Sequence, residues 1–146
     1  MTVRGRGFGF LTLTLCLLLS GCNRSEFNLP PGDDEAGRAT FVLLQCNECH
    51  AVEGVQYVGS DAHDIKVNLG GKTTRVKSYA DLVTSIINPS HKLSRGTNNN
   101  TVTPEGDSMM RSYNEYMTVE ELTDLVTFLE SRYEIWVPTH YDYQTP

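Results

Sequence analysis

Five consecutive residues about a third of the way along the chain, Cys46-Asn47-Glu48-Cys49-His50, commit three side chains to one ligand. C-x-x-C-H is the attachment signature of a c-type haem, in which each thiol adds to one porphyrin vinyl group and the next imidazole ligates the iron from one face. A chain so built folds as an envelope around a large apolar plate. Two other chemistries share the spacing. A thioredoxin-like dithiol needs a strand and a βαβ pattern ahead of the cysteines, and the residues ahead of Cys46 read as helix. A zinc site needs two more Cys or His at ligand spacing. No second C-x-x-C exists, and His63, His91 and His140 are scattered.

Haem is attached to such chains outside the cytoplasm, and the N-terminus reads as an export signal. Arg4 and Arg6 form a basic region, and Phe8 to Leu19 form an apolar core too short to span a bilayer comfortably. It ends in Leu19-Ser20-Gly21-Cys22, which resembles the lipobox of bacterial lipoproteins. That resemblance implies cleavage before Cys22 and a lipid on it. Cys16 would leave with the signal, so no cysteine pair remains for a structural disulfide. Without a twin arginine, the general secretion route and export unfolded are favoured. Asn23 after the cysteine resembles lipoproteins passed to the outer membrane more than those an aspartate retains at the inner one.

Loss of residues 1–21 leaves about 125, enough for one domain. The full chain carries 12 Lys and Arg against 18 Asp and Glu; removal of Arg4 and Arg6 leaves ten cations and a formal charge of −8. That balance argues against nucleic acid or anionic lipid as a partner and fits basic docking surfaces on redox proteins. Residues 23–33, with Asn28, Pro30, Pro31 and Gly32 and little apolar periodicity, read as an extended tether.

Three helices are legible. Asp34 to Gln45 has acidic residues in its first turn and Ala36, Ala39 or Thr40, Leu43 and Leu44 at helical spacing. Gly37 within it signals close backbone approach, with Phe41 one turn later. Tyr79 to Ile87 begins after Ser78 and stops at Asn88-Pro89, with Leu82, Val83 and Ile86 as its apolar face. Thr118-Val119-Glu120-Glu121 is a capping box with Met117 and Leu122 as a hydrophobic staple. It opens a helix to about Tyr133 whose stripe is Leu122, Leu125, Val126 and Leu129, with Phe128 beside them. Residues between His50 and Lys77 are loop-like, with room for short strand pairs.

Gly37, Phe41 and Cys46 at this spacing, with Leu125 and Phe128 near the end, resemble a monohaem class I cytochrome c over nearly all of Asp34 to Tyr133. The resemblance implies an all-α cytochrome c fold, three to four helices wrapped around one covalent haem c. It also implies that the first and last helices cross at Gly37, with Phe41 and Phe128 as packing residues. The chain divides into a signal peptide at 1–21, a lipidated tether at 22–33 and a cytochrome c domain at 34–146 with an aromatic tail. Trp136, Tyr141 and Tyr143 of that tail are expected to pack back on the domain.

In the family the sixth iron ligand is usually a methionine followed by proline, a residue or two and an aromatic. Met110-Arg111-Ser112-Tyr113 matches except that Arg111 replaces the proline, so Met110 is favoured over Met109, and Met117 is assigned to the staple. His63 and His91 are rivals for a bis-histidine site. Arg75, Lys77, Tyr79, Arg95 and Arg111 are candidates for pairing with the haem propionates. The sites are therefore Cys46 and Cys49 for the haem, His50 and Met110 for its iron, and Cys22 for the lipid.

With both axial positions filled, no site is open to substrate. The expected activity is one-electron transfer between redox proteins, as a membrane-anchored lipoprotein facing the periplasm, the outer membrane favoured over the inner, and as a carrier or the cytochrome subunit of a dehydrogenase or oxidase chain. It is not expected to be an enzyme itself, since a dihaem peroxidase needs a second C-x-x-C-H. The alternative is a haem-based ligand-binding or sensor protein with a labile sixth ligand.

Overall fold

The computed structural model describes residues 29–61, 64–75, 77–93 and 99–137. The α-helices among these described residues are α1 (Asp34–Leu43), α2 (Tyr79–Ile87) and α3 (Val119–Glu130). Each begins on a side chain that satisfies an orphan N–H of the first turn. The Asp33 carboxylate accepts from Ala36 N–H at 2.8 Å, and the Ser78 hydroxyl accepts from Asp81 N–H at 3.1 Å. At α3 the exchange is reciprocal: Thr118 Oγ1 accepts from Glu121 N–H at 3.1 Å, and Glu121 Oε2 accepts from Thr118 N–H at 2.7 Å.

The helix starts agree with the sequence reading, but two ends do not. α1 stops at Leu43 because Gln45 turns into the left-handed region at φ 59°. α3 stops at Glu130, three residues before Tyr133, where the backbone becomes extended.

α1 and α3 meet at Gly37. A Cβ there would fall inside the contact distance of the Asp124 carbonyl and 2.7 Å from Phe128 Cβ, so the absence of a side chain lets the two backbones touch. Phe41 and Phe128 are almost wholly buried, with ring centroids 5.7 Å apart and planes tilted by 56°. Leu122, Leu125, Val126 and Leu129 continue the core along α3, and α2 adds Leu82 and Ile86, with Tyr79 and Val83 at the margin. Met117 packs against the same cluster, as its staple role requires.

The architecture is not purely helical. Strand β1 (His50–Ala51) pairs in parallel with β2 (Val67–Asn68), and β3 (Gly71–Thr73) pairs in parallel with β4 (Tyr133–Ile135). The first pair lies in the loop-like stretch after the C-x-x-C-H motif. The second corrects the all-α expectation: Gly71 N–H donates to the Arg132 carbonyl at 2.8 Å and Trp136 N–H to the Thr73 carbonyl at 2.9 Å, which extends the chain after α3. The tail thus folds back as far as Trp136, whose side chain is half exposed. Tyr141, Tyr143 and His140 lie outside the described residues, as do Cys16 and Cys22.

Residues 29–33 also depart from the tether reading, because they lie on α3. Gly32 N–H donates to Thr127 Oγ1 at 3.2 Å and Asp33 N–H to Asp124 Oδ1 at 2.7 Å. Leu29 packs against the core, and a Cβ at Gly32 would collide with the α3 backbone at Thr123 and Asp124. The domain therefore begins at or before Leu29, not at Asp34.

Candidate haem site

The left-handed turn at Gln45 delivers the chain into a 3-10 turn over Cys46–Glu48. Cys49 N–H donates to the Cys46 carbonyl at 3.2 Å. In such a turn residues three apart eclipse one another, so the C-x-x-C spacing brings both thiols to one side. Cys46 is buried and Cys49 half buried, and neither is in a disulfide.

Burial pushes the Cys46 thiol up to about 11, and it also raises that of Cys49, where Glu48 adds to the shift. The Arg111 charge opposes both. A reactive dithiol requires a lowered thiol pKa, so this environment is the reverse of an oxidoreductase site.

His50 follows as the first residue of β1. The backbone on both sides of it is fixed by Val67 N–H donating to the Cys49 carbonyl and Leu69 N–H to the Ala51 carbonyl, both at 2.8 Å. Its Nδ1 is buried without an aligned hydrogen-bond partner. Burial lowers the imidazole's pKa, and the Val67 backbone partly offsets this. The ring is thereby held toward its neutral form, the form that ligates metal.

A loop closes over this side. Asn47, buried, donates from Nδ2 to the Gln56 carbonyl at 3.1 Å, and its own carbonyl accepts from Val58 N–H at 3.1 Å. The Tyr57 hydroxyl donates to the Ile65 carbonyl at 3.1 Å, with Lys66 Nζ 4.9 Å from the Tyr57 ring centroid. Nothing in the local sequence announces Asn47, since the two middle residues of C-x-x-C-H carry no fixed chemistry.

A family model for cytochrome c matches residues 35–132, two thirds of the chain. The chain belongs to the cytochrome c family. No curated protein and no solved structure matches it. Membership makes covalent haem c, with its iron, the cofactor of this cytochrome, and haem-based electron transfer its activity; it is an electron-transfer protein and not itself a catalytic enzyme. The residues fit that group: two free thiols at the ends of one turn, an adjacent imidazole with a buried nitrogen that lacks a hydrogen-bond partner, and apolar residues of α2 in the core.

The methionine region of the cytochrome runs from a 3-10 turn at Asn99–Thr101 to Met117. Met109 and Met110 are both half buried. Met109 N–H donates to the Thr101 carbonyl at 2.9 Å and Met110 N–H to Ser108 Oγ at 3.1 Å. Arg111 is exposed, and its charge opposes the upward shifts of Cys46, Cys49 and Tyr113. The Tyr113 hydroxyl donates to the Leu44 carbonyl at 3.0 Å, which brings the loop beside the start of the C-x-x-C-H turn.

Of the rival ligands, His91 is exposed and His63 lies outside the described residues. Among the propionate candidates Arg75 and Lys77 are exposed, and Arg95 lies outside the described residues. Tyr79 differs: its hydroxyl is buried without a partner. Burial and the Glu130 charge raise its pKa, so it remains a neutral donor.

Proposed function

We propose that this cytochrome is a lipid-anchored one-electron carrier on the periplasmic side of a bacterial membrane. Cys46 and Cys49 would hold the haem, and His50 and Met110 would ligate its iron. When bound, the haem supplies a single-electron couple at its iron. The chain's residues bury it, fix its ligands and set its potential. The observation that carries this reading is a C-x-x-C-H turn tied by the Tyr113–Leu44 hydrogen bond to a loop that offers half-buried thioethers.

A thioether opposite an imidazole favours ferrous iron, because soft sulfur suits the lower charge, and gives a higher potential than two imidazoles. Met110 is preferred over Met109 for its spacing to Tyr113. Met117 is preferred by neither criterion, being engaged with the core. The Tyr79 hydroxyl is the propionate donor best supported, as a buried donor lacking an acceptor. The lipidated Cys22, the signal peptide at 1–21 and the outer-membrane destination rest on the lipobox-like Leu19-Ser20-Gly21-Cys22 and on Asn23. Donors and acceptors are redox proteins met at that membrane.

Spectroscopy of the purified holoprotein tests the ligand set. The ferric protein should show the sulfur-to-iron charge-transfer band, and the reduced protein should bind no carbon monoxide. Met110→Ala should abolish the band and admit carbon monoxide, and Met110→His should keep the iron six-coordinate while lowering the potential by on the order of 100 mV. A wild-type protein that lacks the band and binds carbon monoxide would replace the carrier with a ligand-binding protein. A Cys22→Ala variant that stays in the membrane fraction with no fatty acid on it would remove the lipid anchor.

A further inference from the structure

The methionine loop has no proline between Asp107 and Thr118, so no residue there has its φ fixed covalently. Its order comes from elsewhere. Two adjacent residues, Tyr113 and Asn114, reach the C-terminal ends of two different helices. The Tyr113 hydroxyl donates to the Leu44 carbonyl at 3.0 Å, across 69 residues of sequence, and Asn114 Nδ2 donates to the Ile87 carbonyl at 2.9 Å. Leu44 is the last residue before the left-handed turn into the C-x-x-C-H motif, and Ile87 ends α2. Helix C-termini leave carbonyls without intrahelical donors, and here the loop supplies donors to both. Ser108 N–H adds a third attachment, donating to Ser90 Oγ at 3.1 Å just beyond α2.

We infer that Tyr113, assisted by Asn114, is the positioning residue that holds Met110 over the iron, by clasping the methionine loop to the turn that carries the haem cysteines. The clasp acts through geometry. Tyr113 is three residues from Met110, and its acceptor is two residues from Cys46, so one hydrogen bond couples both faces of the site. Tyr113 is half buried, which shields that bond from water, whereas the Asn114 bond is exposed and contributes less. The inference rests on the reading of Met110 as the sixth ligand.

The test uses the holoprotein and imidazole as a competing ligand for ferric iron. Tyr113→Phe keeps the ring and its packing and removes only the hydroxyl. It should bind imidazole about two- to tenfold more tightly than wild type, the range one net hydrogen bond spans, and weaken the charge-transfer band on warming before any loss of helix. Asn114→Ser should shift affinity in the same direction by less. Ser78→Ala, which removes the N-cap of α2, should lower stability without changing imidazole affinity. The inference is overturned if wild type shows the band and Met110→Ala abolishes it, yet Tyr113→Phe binds imidazole like wild type. It is overturned equally if Ser78→Ala raises affinity as much as Tyr113→Phe does, since the effect would then be general loosening. A wild type without the band overturns the Met110 reading itself, and the clasp's role with it.

Discussion

Replacing Gly37 by alanine puts two physical terms in direct opposition. Alanine in a helix interior is favoured over glycine by about 1 kcal/mol, so local propensity alone predicts a more stable protein. The packing term has the other sign. The added Cβ would lie 2.5 Å from the Asp124 carbonyl carbon and 2.7 Å from Phe128 Cβ, closer than side-chain carbons approach in folded proteins. The obstruction is largely α3 backbone, which cannot rotate aside, so α1 must move away by an appreciable fraction of an ångström. A gap of 0.5–1 Å forfeits roughly a quarter to a half of each dispersion contact across it, and this interface holds the Phe41–Phe128 pair. Overpacking typically costs about 1–3 kcal/mol, with backbone collisions at the upper end. Set against the propensity gain, the net loss is about 2 kcal/mol, or roughly 8 °C in Tm for a domain of this size. Thermal and urea unfolding of holoprotein, followed by far-ultraviolet circular dichroism, reads this directly. A Gly37→Ala variant as stable as wild type, or more so, would refute the claim that α1 and α3 meet backbone to backbone.

Other expectations concern the helix ends. Asp34→Ala should cost about 1 kcal/mol in urea unfolding, because Asp34 accepts from Arg132 Nη2 at 2.7 Å and from Ser131 Oγ at 2.6 Å in a partly exposed setting. It should also loosen Arg132, whose guanidinium carbon sits 4.7 Å from the Phe128 ring centroid. Thr118→Ala should cost about 1 kcal/mol and Thr118→Ser should restore most of it, as the cap requires a hydroxyl. Glu121 is held below the ordinary carboxylate value of 4.5 by the Thr118 N–H and hydroxyl. The stability it contributes is therefore complete above pH 4.5 and lost as pH falls through its lower folded value. The stability difference between wild type and Glu121→Gln should shrink with acidification below pH 4.5, and a constant difference would contradict that origin.

What the sequence made legible was local chemistry. The C-x-x-C-H spacing, the caps at Ser78 and Thr118, and the Gly37–Phe41 turn each lie within one or two helical turns. Phe128 was readable because its stripe is periodic. The unreadable parts are pairings between distant, individually ordinary residues. Gly71 and Tyr133 gave no sign that they share a register, so the helix was carried on to about Tyr133, the first residue of β4, and Glu134 and Ile135 fell in the tail. Asn47 and Gln56 look like any polar loop residues, yet they fold the loop over the haem motif. Tyr113 was visible only as an aromatic after Met110; its bond to Leu44 depends on two elements meeting in space. Gly32 read as punctuation in a tether because its contact lies 95 residues away, at Thr127.

The strap at 29–33 also bears on the anchor proposed at Cys22, since it would limit how a domain held there moves. With those residues laid on α3, six residues of sequence, 23–28, lie between the lipid site proposed at Cys22 and the strap, and six residues span at most about 20 Å however they are drawn out. A compact body of this length has a radius of gyration of about 13 Å, and hence a diameter of roughly 35 Å. A leash shorter than the body it holds permits rolling but not free tumbling. With a lipid on Cys22, the domain's orientation to the bilayer would be biased by where the strap leaves α3. Inserting a flexible segment of about ten residues after Asn28 should release that bias, with fluorescence anisotropy on vesicles showing faster rotation while the fold is untouched.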